Sequence, residues 1–425
     1  MELEWLAEDL ETLAHTTKLT ISGKSAVAPQ IAQTASQGPV EARSSADATP
    51  KDVSKKAPPV SKSAQVTTPQ RAATLTEEET FGFDIPKNAL VVVAESLTRA
   101  TIEGLGKSAG TTDALIRRLG SKVVPDHINL VYPRVPVGSD PGDPTRMPIP
   151  PLSRAQISVL VDVQLEVDGS FVIPPLQSGL DNLKQFQIAL DRTTVSIQTF
   201  RSRKEIVGYF PRMERTDIIP DMVEKYIRAG VHFFAVDFSG ASNAPSQMRM
   251  TVSRIRQGLK IGKRAGERGE KYYLHIFNVA TARKSSQLVA PISDIITHPY
   301  GVDSTSGVMW GGGQLDKSLM RYYSTSDYGH YRQAALDNLA KSCSCPTCSG
   351  SSFKEMYSAT DHTVFRRLRK HRLFAYAEEC GRIAERIAAG ESVKSYWPYL
   401  TTKPAAASDI AKIMRDVREI RANLR

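Results

Sequence analysis

Three cysteines and a histidine in the last quarter of the chain have the spacing of a metal site. Cys343, Cys345 and Cys348 lie within six positions, and His371 follows after 22 further residues. Three thiolates and one imidazole make the tetrahedral ligand set that zinc prefers. Because protein ligands would fill all four positions, we expect a structural zinc ion that holds a loop against the helix after it.

Two histidines compete for the fourth ligand position. We favour His371 over His362, because a helix predicted over 370–387 would present His371 from its first turn to the preceding loop. Cys380 is left over and is predicted to pack within that helix. The clustering of the cysteines indicates a metal site in a reducing compartment and argues against a disulfide framework.

The charge balance favours an anionic partner. The 425 residues include 55 Lys and Arg against 45 Asp and Glu, a net charge of +10. Clustered basic groups gain free energy by releasing counterions from phosphates, so a nucleic acid is the expected partner. The stretch RRLRKHR at 366–372 offers a phosphate clamp beside His371. A merely solvated basic surface is the alternative.

Composition excludes a membrane protein. With 41% hydrophobic and 24% charged residues, the chain is typical of a globular protein, and it contains no run of about 18 apolar residues. The first residues, MELEW, are acidic where a secretory signal would be basic. We therefore predict a cytoplasmic protein that uses no membrane.

The pattern of the chain predicts four regions. Residues 1–80 are predicted to hold a short helix over 2–14, with Leu3, Leu6, Leu10 and Leu13 on one stripe, and then a disordered linker. Residues 81–335 are predicted to be a barrel, 336–400 a zinc-binding subdomain with a closing barrel helix, and 401–425 a terminal helix. The last helix is a packing surface or a homodimer interface.

Strands and helices alternate through 81–335, which indicates an α/β fold with parallel strands. The absence of a Gly-rich phosphate motif favours a (β/α) barrel over a dinucleotide-binding fold. Strands are predicted over 89–94, 157–165, 194–199, 205–210, 233–238, 272–277 and near Ile295; helices over 111–119, 180–190, 219–229, 245–265 and near Ser285; and a long loop over 125–155.

The CSCPTC loop followed by a helix that begins HRLFAYAEECGRI resembles the zinc subdomain of the tRNA-guanine transglycosylases. Three other segments are similar to that family: GVDSTS at 301–306 to its segment with a nucleophilic aspartate, IVGYFPR at 206–212 to a strand that ends in Val-Gln-Gly, and GVHFFAVDFSG at 230–240 to the strand that cradles the base. The resemblance covers 194–390. It implies a (β/α)8 TIM barrel with an inserted zinc-binding subdomain.

The resemblance also implies a reaction. These enzymes exchange a guanine in tRNA for a 7-deazaguanine through a covalent aspartyl-glycosyl intermediate. Asp303 matches the nucleophile and is expected at the carboxyl end of a barrel strand. Asp168 is the nearest match to a second, acid/base carboxylate, although its segment DGSF is equally typical of a hairpin turn.

Four further residues are implied to bind substrate, namely Asp237, Ser239, Gly240 and Arg212. A carboxylate at 237 suits the N1 and exocyclic amine donors of guanine. Two alternatives stay open: the same exchange on DNA, favoured because archaeal-type members carry carboxyl-terminal RNA-binding domains that do not fit in this length, and a non-catalytic nucleic-acid-binding subunit.

Overall fold

Strands and helices alternate along most of the chain in the computed structural model. It describes residues 1–8, 13–28, 30–31, 33–35, 89–135, 150–177, 183–212, 215–238, 245–264, 271–279, 287–307, 320–336, 339, 345, 348–349, 352–388 and 396–424. The strands are β1 (Glu2–Glu8), β2 (His15–Ile21), β3 (Lys24–Ala28), β4 (Gln30–Ile31), β5 (Gln33–Ala35), β6 (Leu90–Ser96), β7 (Ile128–Arg134), β8 (Phe171–Val172), β9 (Glu205–Phe210), β10 (Phe233–Asp237), β11 (Tyr273–Val279), β12 (Val289–Pro291), β13 (Ser304–Gly307), β14 (Arg321–Ser324) and β15 (Gly329–Arg332). The helices are α1 (Arg99–Gly104), α2 (Ala109–Gly120), α3 (Arg154–Glu166), α4 (Leu183–Thr199), α5 (Ile219–Arg228), α6 (Pro245–Arg264), α7 (Phe353–Tyr357), α8 (Asp361–Ala388), α9 (Tyr396–Thr401) and α10 (Ala407–Leu424). The fold is therefore mixed α/β, as predicted.

Two parallel sheets lie at the centre of this fold. One has six strands in the order β4-β13-β11-β10-β9-β8, and the other has three in the order β5-β6-β7. Strands β6, β10 and β11 are almost continuous apolar runs whose residues are nearly all buried, which is typical of parallel strands covered on both faces. Their side chains contribute much of the hydrophobic core.

The two sheets approach each other at both of their edges. At one edge a single residue separates β4 from β5 along the chain. At the other, the backbone N–H of Ser170 donates to the carbonyl of Asn129 at 2.8 Å, and the N–H of Glu205 donates to the carbonyl of Ser170 at 3.2 Å. Ser170 thus connects β7 with the start of β9.

The amino terminus forms strands where a helix and a linker were predicted. Strands β1, β2 and β3 make an antiparallel meander, and β4 and β5 follow it. Along the first strand, half-buried Met1 and Leu3 alternate with exposed Glu2 and Glu4, so the relevant period is two and not that of a helix. The remainder of the predicted linker, 36–88, lies outside the described residues.

The meander is docked on the main core, which explains why its few apolar residues suffice. Leu13, Leu19 and Ile21 are buried in the same cluster as the parallel strands. Gly301 permits the contact: it has a φ of 81°, and a Cβ there would lie 2.8 Å from the carbonyl oxygen of Leu13.

Several of the predicted elements are wrong in type. Residues 157–165 lie in helix α3, because Ser153 and Gln156 form a capping box that starts a helix despite the β-branched residues after it. Residues 194–199 are the last turns of α4, β7 occupies part of the predicted 125–155 loop, and 295–300 form a 3-10 helix. The helix near Ser285 falls outside the described residues.

Other predictions are confirmed. The strands expected near 89–94, 205–210, 233–238 and 272–277 are β6, β9, β10 and β11. The helices expected over 111–119, 180–190, 219–229, 245–265 and 370–387 and the terminal helix expected within 401–425 correspond to α2, α4, α5, α6, α8 and α10. Among the described residues, no helix combines the length and the apolar character that a membrane crossing needs. The predicted boundaries near 80, 335 and 400 stay predictions.

Candidate active site and metal centre

A buried carboxylate lies at the carboxyl ends of four parallel strands. Asp237 is the last residue of β10, and only 2% of its surface is exposed. Around it are Tyr132 and Arg134 from the end of β7, Tyr209 from β9 and Asn278 from β11. Loops at this end of a parallel sheet carry the functional groups of α/β enzymes, because the strands deliver their side chains there together.

Four side chains donate hydrogen bonds to the Asp237 carboxylate. Its Oδ2 accepts from the hydroxyl of Tyr132 at 2.9 Å, the hydroxyl of Tyr209 at 3.3 Å and Nε of Arg134 at 3.2 Å, and its Oδ1 accepts from Nδ2 of Asn278 at 2.8 Å. A buried charge is tolerated only with such partners. The cluster thus satisfies both carboxylate oxygens of Asp237 in an apolar setting.

The two tyrosines are also bonded to each other. Their hydroxyl oxygens are 2.5 Å apart, and the Tyr132 ring stacks on Phe277 with centroids 4.5 Å apart. Burial, and then the charge of Asp237, raise the pKa of both phenols well above its usual range. Arg134 opposes that shift; burial would lower the pKa of Arg134 itself, but the charges of Asp237, Tyr132 and Tyr209 and the hydrogen bond to Asp237 together raise it. Both tyrosines are therefore neutral proton donors when the carboxylate is charged.

Asp303 lies at the opposite end of the sheet from the one predicted. It immediately precedes β13, so it is at the amino end of that strand, and it is fully buried. Its Oδ2 accepts from the N–H of Leu274 at 2.7 Å, and its Oδ1 lies 3.1 Å from Nε2 of His15. Its backbone bonds Leu274 and Gln30. The error arose because the sequence does not reveal where within GVDSTS the strand begins.

The two ring nitrogens of His15 each face an acceptor oxygen. Its Nδ1 is 3.0 Å from the carbonyl oxygen of Leu13, and its Nε2 faces Asp303. Burial alone would lower the pKa of His15, but the charge and hydrogen bond of Asp303 outweigh burial and raise it. The guanidinium of Arg256, which lies over the ring of Tyr272, counteracts part of this rise. The pair is a neutral, charge-compensated connection between β2 and β13.

Three of the four predicted metal ligands meet in a buried cluster. The ligand atoms of Cys345, Cys348 and His371 all lie within 4.8 Å of one another. Nδ1 of His371 is 3.5 Å from Sγ of Cys345 and 3.2 Å from Sγ of Cys348. Ligand bonds of about 2.3 Å to sulfur and 2.0 Å to nitrogen at a tetrahedral ion would separate these atoms by roughly 3.5 Å. The cluster could hold a metal ion; Cys343 lies outside the described residues.

His371 reaches this cluster from within a long helix, not from its first turn. Helix α8 begins at Asp361, so the imidazole is directed by its surroundings and not by a helix start. Its Nε2 is 2.6 Å from the carbonyl oxygen of Tyr323, and the ring of Tyr322 stacks on it at 4.2 Å. The bond to Tyr323 fixes the proton on Nε2 and leaves Nδ1 as the ligand atom.

The other predicted site residues are dispersed. Asp168 is exposed in the connection between α3 and β8, at the amino end of the sheet, and its segment is neither a hairpin turn nor near Asp237. Its charge partly offsets the effect of burial on Lys204, whose pKa is lowered to about 8. Arg212 is exposed just after β9. Ser239 and Gly240 lie outside the described residues.

The predicted phosphate clamp on α8 divides into two parts. Arg366 and Arg367 are exposed, whereas Arg372 is half-buried and pairs with Asp294 at 2.7 Å. Burial lowers the pKa of Arg369, with a smaller effect from Arg372. The exposed pair is therefore the part that is placed to meet an anionic partner.

Sequence reasoning missed Tyr132, Arg134, Tyr209 and Asn278 as site residues. The alternation in INLVYPR, with polar groups at the end of an apolar run, was the available signal, but it stood within a predicted loop. Asn278 has a φ of 56°, in the left-handed region that asparagine adopts more readily than most residues. No protein-family model matches this sequence, and no curated protein matches it significantly, so the class of the protein rests on the site itself.

Proposed function

We propose that this protein is a base-exchange transglycosylase that replaces guanine in a nucleic acid with a 7-deazaguanine. The observation that carries the proposal is the buried Asp237 carboxylate with its donors at the carboxyl ends of β7, β9, β10 and β11. The resemblance of the Cys-x-Cys-x-x-Cys segment and of the β9 and β10 sequences to the tRNA-guanine transglycosylases supports this class.

The proposed fold is a closed (β/α)8 barrel. If β4 and β5 are one strand, which pairs with β13 on one side and with β6 on the other, the two parallel sheets join there. The Ser170 bonds between β7 and β9 join them again. The resulting strands follow one another around the barrel in chain order, and the amino-terminal segment supplies the first strand.

Asp237 takes the role of the reactive carboxylate in this proposal, in place of Asp303. Base exchange without cleavage of the backbone needs a nucleophile at C1′ of the nucleotide, and a carboxylate supplies it as in retaining glycosidases. Asp237 lies where such barrels hold their reacting groups, whereas Asp303 is held by Leu274 and His15 at the other end. The rings of Tyr132, Tyr209 and Phe277 pack together beside Asp237, and they are the aromatic groups proposed to contact a base that has left its stack.

The metal in the proposal is a structural zinc ion. Cys345, Cys348 and His371 fit its thiolate and imidazole preferences, and Cys343 is the proposed fourth ligand. The ion would hold the segment around Cys345 against helix α8. The exposed Arg366 and Arg367 on that helix, together with the net charge of +10, suit a polynucleotide partner.

Incorporation of a labelled base tests the function. The protein is incubated with radiolabelled guanine or 7-cyano-7-deazaguanine and with separate pools of tRNA and DNA, and label in each polynucleotide is counted. We expect label in one pool with wild type and none with Asp237→Asn. Label in neither pool would overturn the enzyme and favour a non-catalytic nucleic-acid-binding subunit.

A further inference from the structure

We propose that Tyr132 and Tyr209 are the proton donor and acceptor of the base exchange, as a hydrogen-bonded phenol pair beside Asp237. This inference rests on the proposed function and supplies the acid/base group that Asp168 cannot provide. Asp168 is exposed at the amino end of the sheet, away from the carboxylate that reacts. The two phenols are the uncharged proton carriers among the side chains that contact Asp237 and that the structure describes.

The hydroxyl oxygens of Tyr132 and Tyr209 and Oδ2 of Asp237 form a triangle. It has three oxygen–oxygen contacts, but only two hydroxyl protons are available to bridge them. The edges are 2.5 Å between the two hydroxyls, 2.9 Å from Tyr132 to Asp237 and 3.3 Å from Tyr209 to Asp237. Two phenolic protons serve these three contacts when the carboxylate is ionised. Either proton can therefore shift toward a new acceptor while the other keeps one hydrogen bond within the triangle.

The charge of Asp237 links proton transfer to bond formation. Both phenols have a raised pKa in part because the carboxylate is negative, while Arg134 acts in the opposite direction. When Asp237 becomes a glycosyl ester, its negative charge disappears and the Arg134 charge remains 3.2 Å from the former carboxylate oxygen. A phenol there becomes more acidic at the moment when the departing base needs a proton.

The proton and electron balance closes without a co-reactant. In the first half, a carboxylate oxygen of Asp237 bonds to C1′, the C1′–N9 bond breaks with its electron pair on the purine, and a phenol gives its proton to the purine. In the second half, the phenolate takes the N9 proton of the incoming 7-deazaguanine, N9 bonds to C1′, and the ester electrons return to the carboxylate. One proton leaves the pair and one returns.

The second tyrosine stabilises the phenolate that forms between these halves. A hydroxyl that donates to an anionic oxygen makes a charge-assisted hydrogen bond, for which oxygen separations of 2.5–2.7 Å are usual. The hydroxyls of Tyr132 and Tyr209 already face each other within hydrogen-bonding distance. A single tyrosine in the same apolar setting would lack that donor.

Leaving-group dependence tests the pair. The substrate is tRNA or DNA, whichever wild type labels, treated with a methylating agent so that part of its guanine becomes N7-methylguanine. That base departs as a neutral molecule and needs no proton. We expect Tyr132→Phe and Tyr209→Phe to slow release of guanine about 10²-fold or more, and to slow enzyme-dependent release of N7-methylguanine less than about tenfold.

Tyr273→Phe is the matched control, since Tyr273 is equally buried on β11 but its hydroxyl bonds Gln30. This control should release guanine at the wild-type rate. Equal slowing of both bases by the two test variants, with wild-type melting temperatures, would overturn the inference while leaving the transglycosylase intact. No release or incorporation by wild type would instead reject the proposed function.

Discussion

Two buried aspartates occupy opposite ends of the same parallel sheet and differ in their hydrogen-bond partners. Asp237 receives hydrogen bonds from two phenols, a guanidinium and an amide at the carboxyl end. Asp303 is held by a backbone N–H and an imidazole at the amino end. Side-chain donors around a carboxylate leave groups that can exchange protons with a ligand, whereas the Asp303 contacts connect β2, β4, β11 and β13.

The hydrogen-bond partners and the position along the strand distinguish the candidate site at Asp237 from the structural contact at Asp303, whereas burial does not. Both side chains are almost inaccessible, so exposure does not distinguish them. Position along the strand does, because loops at the carboxyl end can change without disturbing the strands, while residues at the amino end of a barrel serve stability. The comparison predicts that activity and stability respond to different aspartates.

The largest expected effect is on catalysis at Asp237. Asp237→Asn keeps an acceptor for Tyr132 but removes the proposed nucleophile, so exchange should fall on the order of 10⁴-fold. Asp303→Asn, assayed below its melting temperature, should retain exchange within about tenfold of wild type. The measurement is the rate of label incorporation per folded protein. A larger loss in the Asp303 variant would reverse the comparison.

Stability should show the reverse pattern, with Asp303→Asn losing more of the free energy of unfolding than Asp237→Asn. Removing the charge of Asp303 leaves the buried His15 without its counterion, which typically costs about 3 kcal/mol of the free energy of unfolding. Urea titration at pH 6 measures this loss. His15→Asn combined with Asp303→Asn should lose less than the sum of the single variants, since the two residues form one contact. Strict additivity would show that the pair is not coupled in solution.

The cluster of Cys345, Cys348 and His371 should support the structure at the amino end of the sheet, where Asp303 lies. Helix α8 carries His371, and its Tyr376 hydroxyl lies 3.0 Å from Oγ1 of Thr305 on β13, next to Asp303. Tyr322→Leu removes the ring that stacks on His371, and metal affinity should fall about 10- to 100-fold. Competition with a chromophoric chelator measures it. Ser158→Ala on α3, where the hydroxyl bonds Arg154 and Arg192 and no metal ligand, is the control, and unchanged affinity in the Tyr322 variant would show that stacking does not support the ligand.

The smallest expected effect is the pH dependence that His15 contributes. Because its pKa is raised in the fold, its contribution is complete below about pH 6.5 and is lost as the pH rises through the folded pKa. Burial lowers the pKa of His275 to about 3 and of His298 to about 4, so both rings are neutral in the folded protein. The folding stability that depends on these neutral rings is lost on acidification below about pH 6.5. His15→Asn should therefore differ less from wild type at high pH than at pH 6.

Unfolding free energies of wild type and His15→Asn between pH 6 and 9 isolate this contribution. The charged groups that face His15 and shift its pKa are Asp303 and Arg256, and the ring of Tyr272 lies beside them. Asp303→Asn provides the control, since it should abolish the same dependence. A difference between wild type and the His15 variant that grows with pH would contradict the assigned sign.

The local sequence pattern predicted the type of an element correctly where one face or the whole element is buried. It failed where contacts with another element determine the secondary structure. The apolar runs of β10 and β11 and the spacing of α5 and α10 predicted their type, since each forms one face or is buried throughout. The segment 157–165 is rich in β-branched residues, yet a capping box and packing on α4 make it a helix. Strands β4 and β5 were missed because their pairing partners, β13 and β6, lie far away in the chain, whereas β1 to β3 pair locally but have few apolar residues of their own and pack on a distant core.

By itself, the sequence determined the α/β class and the grouping of Cys345 and Cys348 with His371, since residue type and short spacing fix the ligand chemistry. The resemblance of the β10 sequence also led to the prediction that Asp237 binds substrate. Tertiary structure alone decided that Asp303 lies just before its strand and that Tyr132, Arg134, Tyr209 and Asn278 converge on Asp237. These residues span 132–278, and only the register of the parallel strands and the approach of β7 to β9 bring them together.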